Sequence, residues 1–205
     1  MNEVRGWHTY HDTTILQHDD VKEKLSNLFK EIKPSHVLEI GTSYGGLTLM
    51  IRHVLDSNNL TDSDLRSYDV METSRHFLYE AIKNGAKIDF RIHNIFNHMY
   101  DALIEEDEIR DYIQRDGTTI IMCDGGSKKN EFNILSKYLK VGDIIMAHDY
   151  SPNQEYFKEN ILDKIWNWHE IEDSDVEQCS VDYNLEHYMQ EDFQKVVWLC
   201  KIKNK

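Results

Sequence analysis

Four groups of residues in this chain have types and spacings that can do chemistry. The first is Glu39-Ile40-Gly41-Thr42-Ser43-Tyr44-Gly45-Gly46. Gly41 allows a tight turn, and Gly45 and Gly46 let backbone approach a ligand closely as a helix begins. The pattern is not the G-x-G-x-x-G of dinucleotide sites, because the second glycine comes late. An acid just before the turn suits a cationic ligand better than a pyrophosphate. The plainer reading is a structural strand-to-helix turn. The second group is Asp69-Val70. A carboxylate after the second strand of such a unit can accept both hydroxyls of a ribose, although an isolated Asp is as often a helix cap. The third is His93-Asn94-Ile95-Phe96, where Asn94 could meet an adenine amino group with Ile95 or Phe96 against the ring, or simply form a turn.

The fourth group is split between two segments, Asp124-Gly125-Gly126-Ser127-Lys128 and His148-Asp149. Two carboxylates and an imidazole could hold Mg²⁺ or another divalent ion and leave positions for water and a substrate oxygen. Alternatively, Asp124 orients a substrate without metal and Asp149 caps a helix. Lys128 or His148 could take a proton from a bound hydroxyl. Lys128 would have to be desolvated to be neutral near pH 7; otherwise it is a salt-bridged lysine. Cys123 has no histidine base placed for it, so a thiol nucleophile is rejected.

These groups make sense together only if each follows a strand. Short β-type runs at 36–40, 65–70, 88–92 (alternating with polar residues), 118–123 and 143–147 read as strands, alternating with helical stripes over 21–33, 47–55, 77–82, 99–115 and 132–139. Alternation of strand and helix implies parallel strands with helices on both faces. In such a sheet, ligands sit beyond the carboxyl ends of the strands, where all four groups fall. After Tyr150 the pattern weakens. A helix near 155–165 and a closing strand at 196–200 are expected, and the acidic stretch 173–192 reads as a strand, a loop or a cap. Trp166 and Trp168 read as packing residues, with one of them lining an acceptor pocket if the tail forms a lid.

Together these motifs resemble the class I S-adenosylmethionine-dependent methyltransferases over residues 15–150. Glu39-x-Gly41-x-x-x-Gly45 resembles their motif I, Asp69 matches the ribose-binding acid and Asn94 the adenine-contacting position. With Gln17 and the run Lys33-Pro34 to Gly46, the likeness narrows to the cephalosporin-hydroxylase-like and macrocin-type O-methyltransferases. That resemblance implies a Rossmann-like α/β fold, with a mostly parallel central sheet of about seven strands, the last antiparallel, and helices on both faces. It implies S-adenosylmethionine held by Glu39, Gly41, Thr42, Ser43, Tyr44, Gly45, Gly46, Asp69, Val70, Asn94, Ile95 and Asp124. It also implies a divalent metal on Asp124, His148 and Asp149, where His148 departs from the usual acid. Catalysis would fall to Lys128 and His148, and the reaction would be metal-assisted O-methylation of a small hydroxylated acceptor. Lids completed by a neighbouring subunit in a homo-oligomer belong to the same expectation. The competing readings are an NAD-type oxidoreductase on a Rossmann sheet and a non-catalytic cofactor-binding protein.

Composition agrees and narrows the partners. The 205 residues suit one domain, divided into an N-terminal segment and helix (1–34), a cofactor-binding core (35–150) and a C-terminal part with a lid (151–205). The formal charge of −14 repels nucleic acid and anionic membranes. Three scattered cysteines and an N-terminus without an apolar stretch point to a reducing cytoplasm and no signal peptide.

Overall fold

Each apolar run in the first three-quarters of the chain becomes a strand. The computed structural model describes residues 7–73 and 75–205. It opens with a hairpin of β1 (Trp7–Tyr10) and β2 (Thr13–Leu16), followed by α1 (Val21–Ile32). The alternating core then runs β3 (His36–Ile40), α2 (Gly46–Ser57), β4 (Asp64–Asp69), α3 (His76–Lys83), β5 (Asp89–Ile92), α4 (Glu106–Ile113), β6 (Thr119–Cys123), α5 (Lys128–Leu135) and β7 (Ile144–Ala147). The tail adds α6 (Gln154–Tyr156), which continues as a π-helical turn over Phe157–Ile161, then α7 (Asp173–Asp182), β8 (Leu185–His187), α8 (Gln190–Phe193) and β9 (Leu199–Lys203).

The main sheet has seven strands in the order β5-β4-β3-β6-β7-β9-β8. The first five are mutually parallel, and β9 runs antiparallel to both β7 and β8. Side chains alternate across it, as strand geometry requires. Val37, Ile120, Met122, Ile144 and Met146 enter a core shared with α1 and α2. Leu38, Ile40, Ile121, Cys123, Ile145 and Ala147 enter the core of the opposite face, shared with α4, α5 and α7. Helix α1 shows how the sequence sets this up. Val21, Leu25, Leu28 and Phe29 fall on one stripe and are buried, each contributing about 1.5–3 kcal/mol of apolar burial. Lys33 then turns left-handed at φ 51° with its N–H on the Phe29 carbonyl, and Pro34 prevents continuation.

Four features differ from the sequence expectation. The helix expected over 99–115 is confined to Glu106–Ile113, because Phe96 and Leu103 pair in a short bridge that holds the preceding loop extended. The closing strand is Leu199–Lys203 and not 196–200. Val197 has φ 57°, which no strand tolerates, and its side chain packs with Phe157, Ile161 and Trp166. The stretch 173–192 resolves into helix, strand and helix, with a capping box between Glu172 and Asp175 starting α7. The β1–β2 hairpin had no sequence counterpart. No helix among the described residues is long and apolar enough to cross a membrane.

Candidate active site

Because β3, β4, β5, β6 and β7 are parallel, the segments following them gather on one rim of the sheet. Two cavities open there, of about 320 and 270 Å³. Gly41, Ser43, Tyr44 and Asp124 belong to the walls of both.

The glycine turn creates the space they share. Gly41 has φ +96°, and a Cβ on it would lie 2.2 Å from the backbone oxygen of Asp124. Only glycine lets the end of β3 pass that close to the end of β6. Gly46 does the same for the hairpin, since a Cβ there would lie 2.4 Å from the Thr14 carbonyl. The larger cavity then extends past the end of β4. Asp69 accepts the Ser43 N–H on Oδ2 at 2.6 Å and the Met71 N–H on Oδ1 at 2.8 Å. Arg75 lies 3.0 Å from Oδ2 and donates its Nε–H to the Ser43 carbonyl at 2.6 Å. A carboxylate has about four lone-pair sites, so Asp69 is held rigidly with acceptor capacity left on Oδ1. Beyond it, Val70, Asn94, Ile95, Phe96 and Tyr100 continue the wall. The rings of Phe96 and Tyr100 stack at 5.7 Å, and Asn94 Oδ1 accepts the Phe96 N–H at 3.0 Å. Val70 and Met71 remain 56% and 61% exposed, an apolar edge that a flat ring would cover.

Glu39 lies outside both cavities. It shares its strand face with Val37, so its side chain turns toward α2, where it accepts the hydroxyls of Thr48 at 2.6 Å and Ser67 at 2.5 Å. Through these bonds Glu39 braces β3, β4 and α2. Gly45 also lines neither cavity. Burial pushes the Glu39 carboxyl up to about 7 from its ordinary 4.5, against the two hydroxyl donors. Between those pH values the folded chain keeps a proton that the unfolded chain has released, so stability falls as pH rises through that window. Glu131 is buried to the same effect, also near 7. Glu39→Gln keeps the oxygen acceptor and removes its share. Thermal melts at a series of pH values should show a shallower decline between about pH 5 and 7, with a gain at pH 8 of the order of 3 kcal/mol.

The smaller cavity holds the fourth group. Ligating atoms of Asp124, His148 and Asp149 lie within 4.8 Å of one another. His148 Nδ1 is 3.0 Å from Asp124 Oδ1 and 3.5 Å from Asp149 Oδ1. The imidazole is buried between Trp166 and Trp198, with ring centroids at 5.0 and 4.9 Å, and its Nε2 has no hydrogen-bond partner. Burial would make the imidazole less basic, but Asp124 and Asp149 outweigh it and raise its pKa. Asp149 is held below its ordinary range, because His148 and Lys128 overcome the effect of burial. Two carboxylates with one imidazole are a donor set suited to Mg²⁺ or Mn²⁺, and their convergence fits a divalent ion.

Lys128 reaches the same cluster. Its Nζ lies 2.9 Å from Asp149, 3.1 Å from Glu170 and 3.9 Å from Asp124. Burial works against the charge, yet these carboxylates hold the ammonium well above the ordinary lysine range. Of the two states the sequence left open for Lys128, the structure has the salt-bridged one. Cys123 is buried with its thiol pushed up, in line with its rejection as a nucleophile.

In sequence, Trp166 and Trp168 read only as packing or pocket-lining residues, and no contact is assigned to Glu170 or Gln17. Trp166 donates its indole N–H to Asp149 Oδ1 at 2.5 Å, and Trp166, Trp168 and Glu170 close the smaller cavity from the tail. Gln17 donates to Asp124 Oδ2 at 2.8 Å and accepts the Trp198 indole N–H, also at 2.8 Å. It thus ties the N-terminal hairpin to β6 and to the residue before β9. Gln17→Ala leaves a buried indole N–H without an acceptor, so a loss of about 1–3 kcal/mol in urea unfolding is expected.

No protein-family model and no curated protein matches this chain. Solved structures do share its fold. An apo structure of CmcI superposes with TM-score 0.66 at 11% identity, over 97% of this chain and 76% of CmcI. A Mg-SAM structure of CmcI gives 0.62 at 13% identity, over 94% and 76% of the two chains. A putative caffeoyl-CoA O-methyltransferase from Staphylococcus aureus gives 0.51 at 13% identity, over 90% and 83%. At such identities the likeness establishes the fold alone, a mostly parallel Rossmann-like sheet with helices on both faces.

Proposed function

We propose that this chain is an S-adenosylmethionine-dependent methyltransferase that methylates an oxygen of a small hydroxylated acceptor with help from a divalent cation. The observation that carries the reading is the meeting of two cavities at Gly41, Ser43, Tyr44 and Asp124. One has a ribose-type acid and an apolar slot; the other has a convergent cation donor set. The shared fold with CmcI, known in a Mg-SAM form, agrees with this assignment.

S-Adenosylmethionine supplies a methyl group already activated as a sulfonium, so the protein's task is chiefly alignment. Asp69 would take the ribose on the free side of Oδ1, with Val70, Ile95 and Asn94 around the base. Asp124 places negative charge where the cavities join, next to the cationic end of the cofactor. Asp124, His148 and Asp149 would hold the divalent ion, which makes a bound hydroxyl more acidic. A ring nitrogen that ligates an ion cannot also carry a proton. His148 is therefore assigned to the cation through Nδ1, the nitrogen that faces Asp124 and Asp149, and Glu170, in the wall of the same cavity beside Lys128, is the carboxylate that would take the acceptor's proton. Trp166 and Trp168, on the segment between α6 and α7, act as the lid that excludes water.

Calorimetric titration tests the reading. Saturable heat with S-adenosylmethionine at micromolar concentrations, and none with NADH, is the expected result. Absence of heat with S-adenosylmethionine, together with NADH quenching of the tryptophan fluorescence, would assign the fold to an oxidoreductase.

A further inference from the structure

We infer that the ammonium of Lys128 is an internal cation, standing among Asp124, Asp149 and Glu170 where a divalent ion would be received, so that ion binding requires Lys128 to leave. The inference rests on the cation-assisted reading of the site given above. Lys128 is the first residue of α5 and its side chain is 9% exposed. Its Nζ approaches Asp149 Oδ2 at 2.9 Å, Glu170 Oε2 at 3.1 Å and Asp124 Oδ1 at 3.9 Å. Two of those three carboxylates belong to the cation donor set. An ion held by that set must come within about 2.0–2.6 Å of their oxygens, and the ammonium already stands 2.9 Å from one of them, Asp149 Oδ2.

The placement runs against local preference. A positive charge in the first turn of a helix opposes the helix dipole and is ordinarily disfavoured. The carboxylates supply the compensation. The other oxygens of Asp149 and Asp124 also have partners: Asp149 Oδ1 the Trp166 indole, Asp124 Oδ2 Gln17, and Asp124 Oδ1 His148. The ammonium therefore offsets part of the negative charge of three carboxylates and holds them in one ion-paired, hydrogen-bonded cluster. An ammonium and a divalent ion at ion-pair distance in a site this buried repel strongly. Lys128 thus keeps the ion-free site in shape and sets the concentration at which an ion can displace it.

The test uses the full chain with Mn²⁺ as the probe, its binding followed by electron paramagnetic resonance. Lys128→Met should bind Mn²⁺ at least about tenfold more tightly than the wild type, because a like charge has been removed from the site. Lys128→Arg, which keeps the charge, should bind no more tightly than the wild type. Free of ion, Lys128→Met should melt below the wild type, and Mn²⁺ should raise its Tm more than it raises the wild-type Tm. A Lys128→Met chain that neither binds Mn²⁺ more tightly nor is stabilised by it overturns the inference. S-Adenosylhomocysteine affinity, measured in parallel, reports on the other cavity. Its absence in the wild type would defeat the methyltransferase reading and leave the Mn²⁺ comparison to stand by itself.

Discussion

Asp124→Ala is expected to lower kcat/KM for methyl transfer by about 10²–10³-fold or more, the range seen when a positioned electrostatic group is removed from a reaction centre. Three separate roles end with that carboxylate. It belongs to the walls of both cavities, it is one of three converging cation donors, and it anchors Gln17 and His148 at 2.8 and 3.0 Å. Because it borders the cofactor cavity, the substitution should also weaken S-adenosylmethionine binding. Asp149→Ala provides the contrast. Asp149 lines only the smaller cavity, so its loss should reduce turnover and divalent-ion dependence while leaving cofactor affinity near the wild-type value. Formation of S-adenosylhomocysteine, followed with and without chelator, reads both variants. Equal cofactor affinity in the two variants would place Asp124 outside the cofactor site.

Gly41→Ala should abolish cofactor binding outright. The added methyl would lie 2.2 Å from the Asp124 carbonyl oxygen and 2.7 Å from the Gly125 backbone nitrogen, and φ at this position is +96°. Neither obstacle is a flexible side-chain end that can swing aside. The left-handed conformation alone costs an L-residue about 1–3 kcal/mol, and relief of the clash must separate the ends of β3 and β6. That separation opens the wall common to both cavities. A fall in Tm together with loss of calorimetric heat is the expected outcome. A folded Gly41→Ala chain that binds S-adenosylmethionine normally would mean that the turn does not shape the site.

The half of the molecule that carries the proposed cofactor site was legible as strands and turns because its signals are local. Strands β3, β6 and β7 are buried on both faces, so they read as near-continuous apolar runs, and the glycine turn follows the first of them directly. The first hairpin was illegible for an equally definite reason. Its two-residue turn, His11-Asp12, has both φ angles positive, at 47° and 61°, a geometry usually announced by Asn-Gly or Asp-Gly. The apolar run at 196–200 misled in the opposite direction. Val197 and Trp198 are fully buried, but as packing for the tail and for His148, with β9 starting only at Leu199.

Site residues divide along the same line. Asp124, His148 and Asp149 follow strands, so their convergence could be read from topology. The surroundings of Glu39 depend on strand parity, since sharing a face with Val37 turns it toward Thr48 of α2. The state of Lys128 depends on Glu170, which reaches it from the tail region where periodicity fails. No local pattern announces that three carboxylates from three segments meet at one ammonium.

A crystal structure of the chain with S-adenosylhomocysteine tests the central claim most directly. The account predicts the ribose on Asp69, the adenine between Val70 and Ile95, and the sulfur at the wall shared by Gly41 and Asp124, facing the cavity that holds His148 and Asp149. Density for the ligand elsewhere on the molecule, or a cofactor cavity that stays empty at saturating ligand, would contradict it.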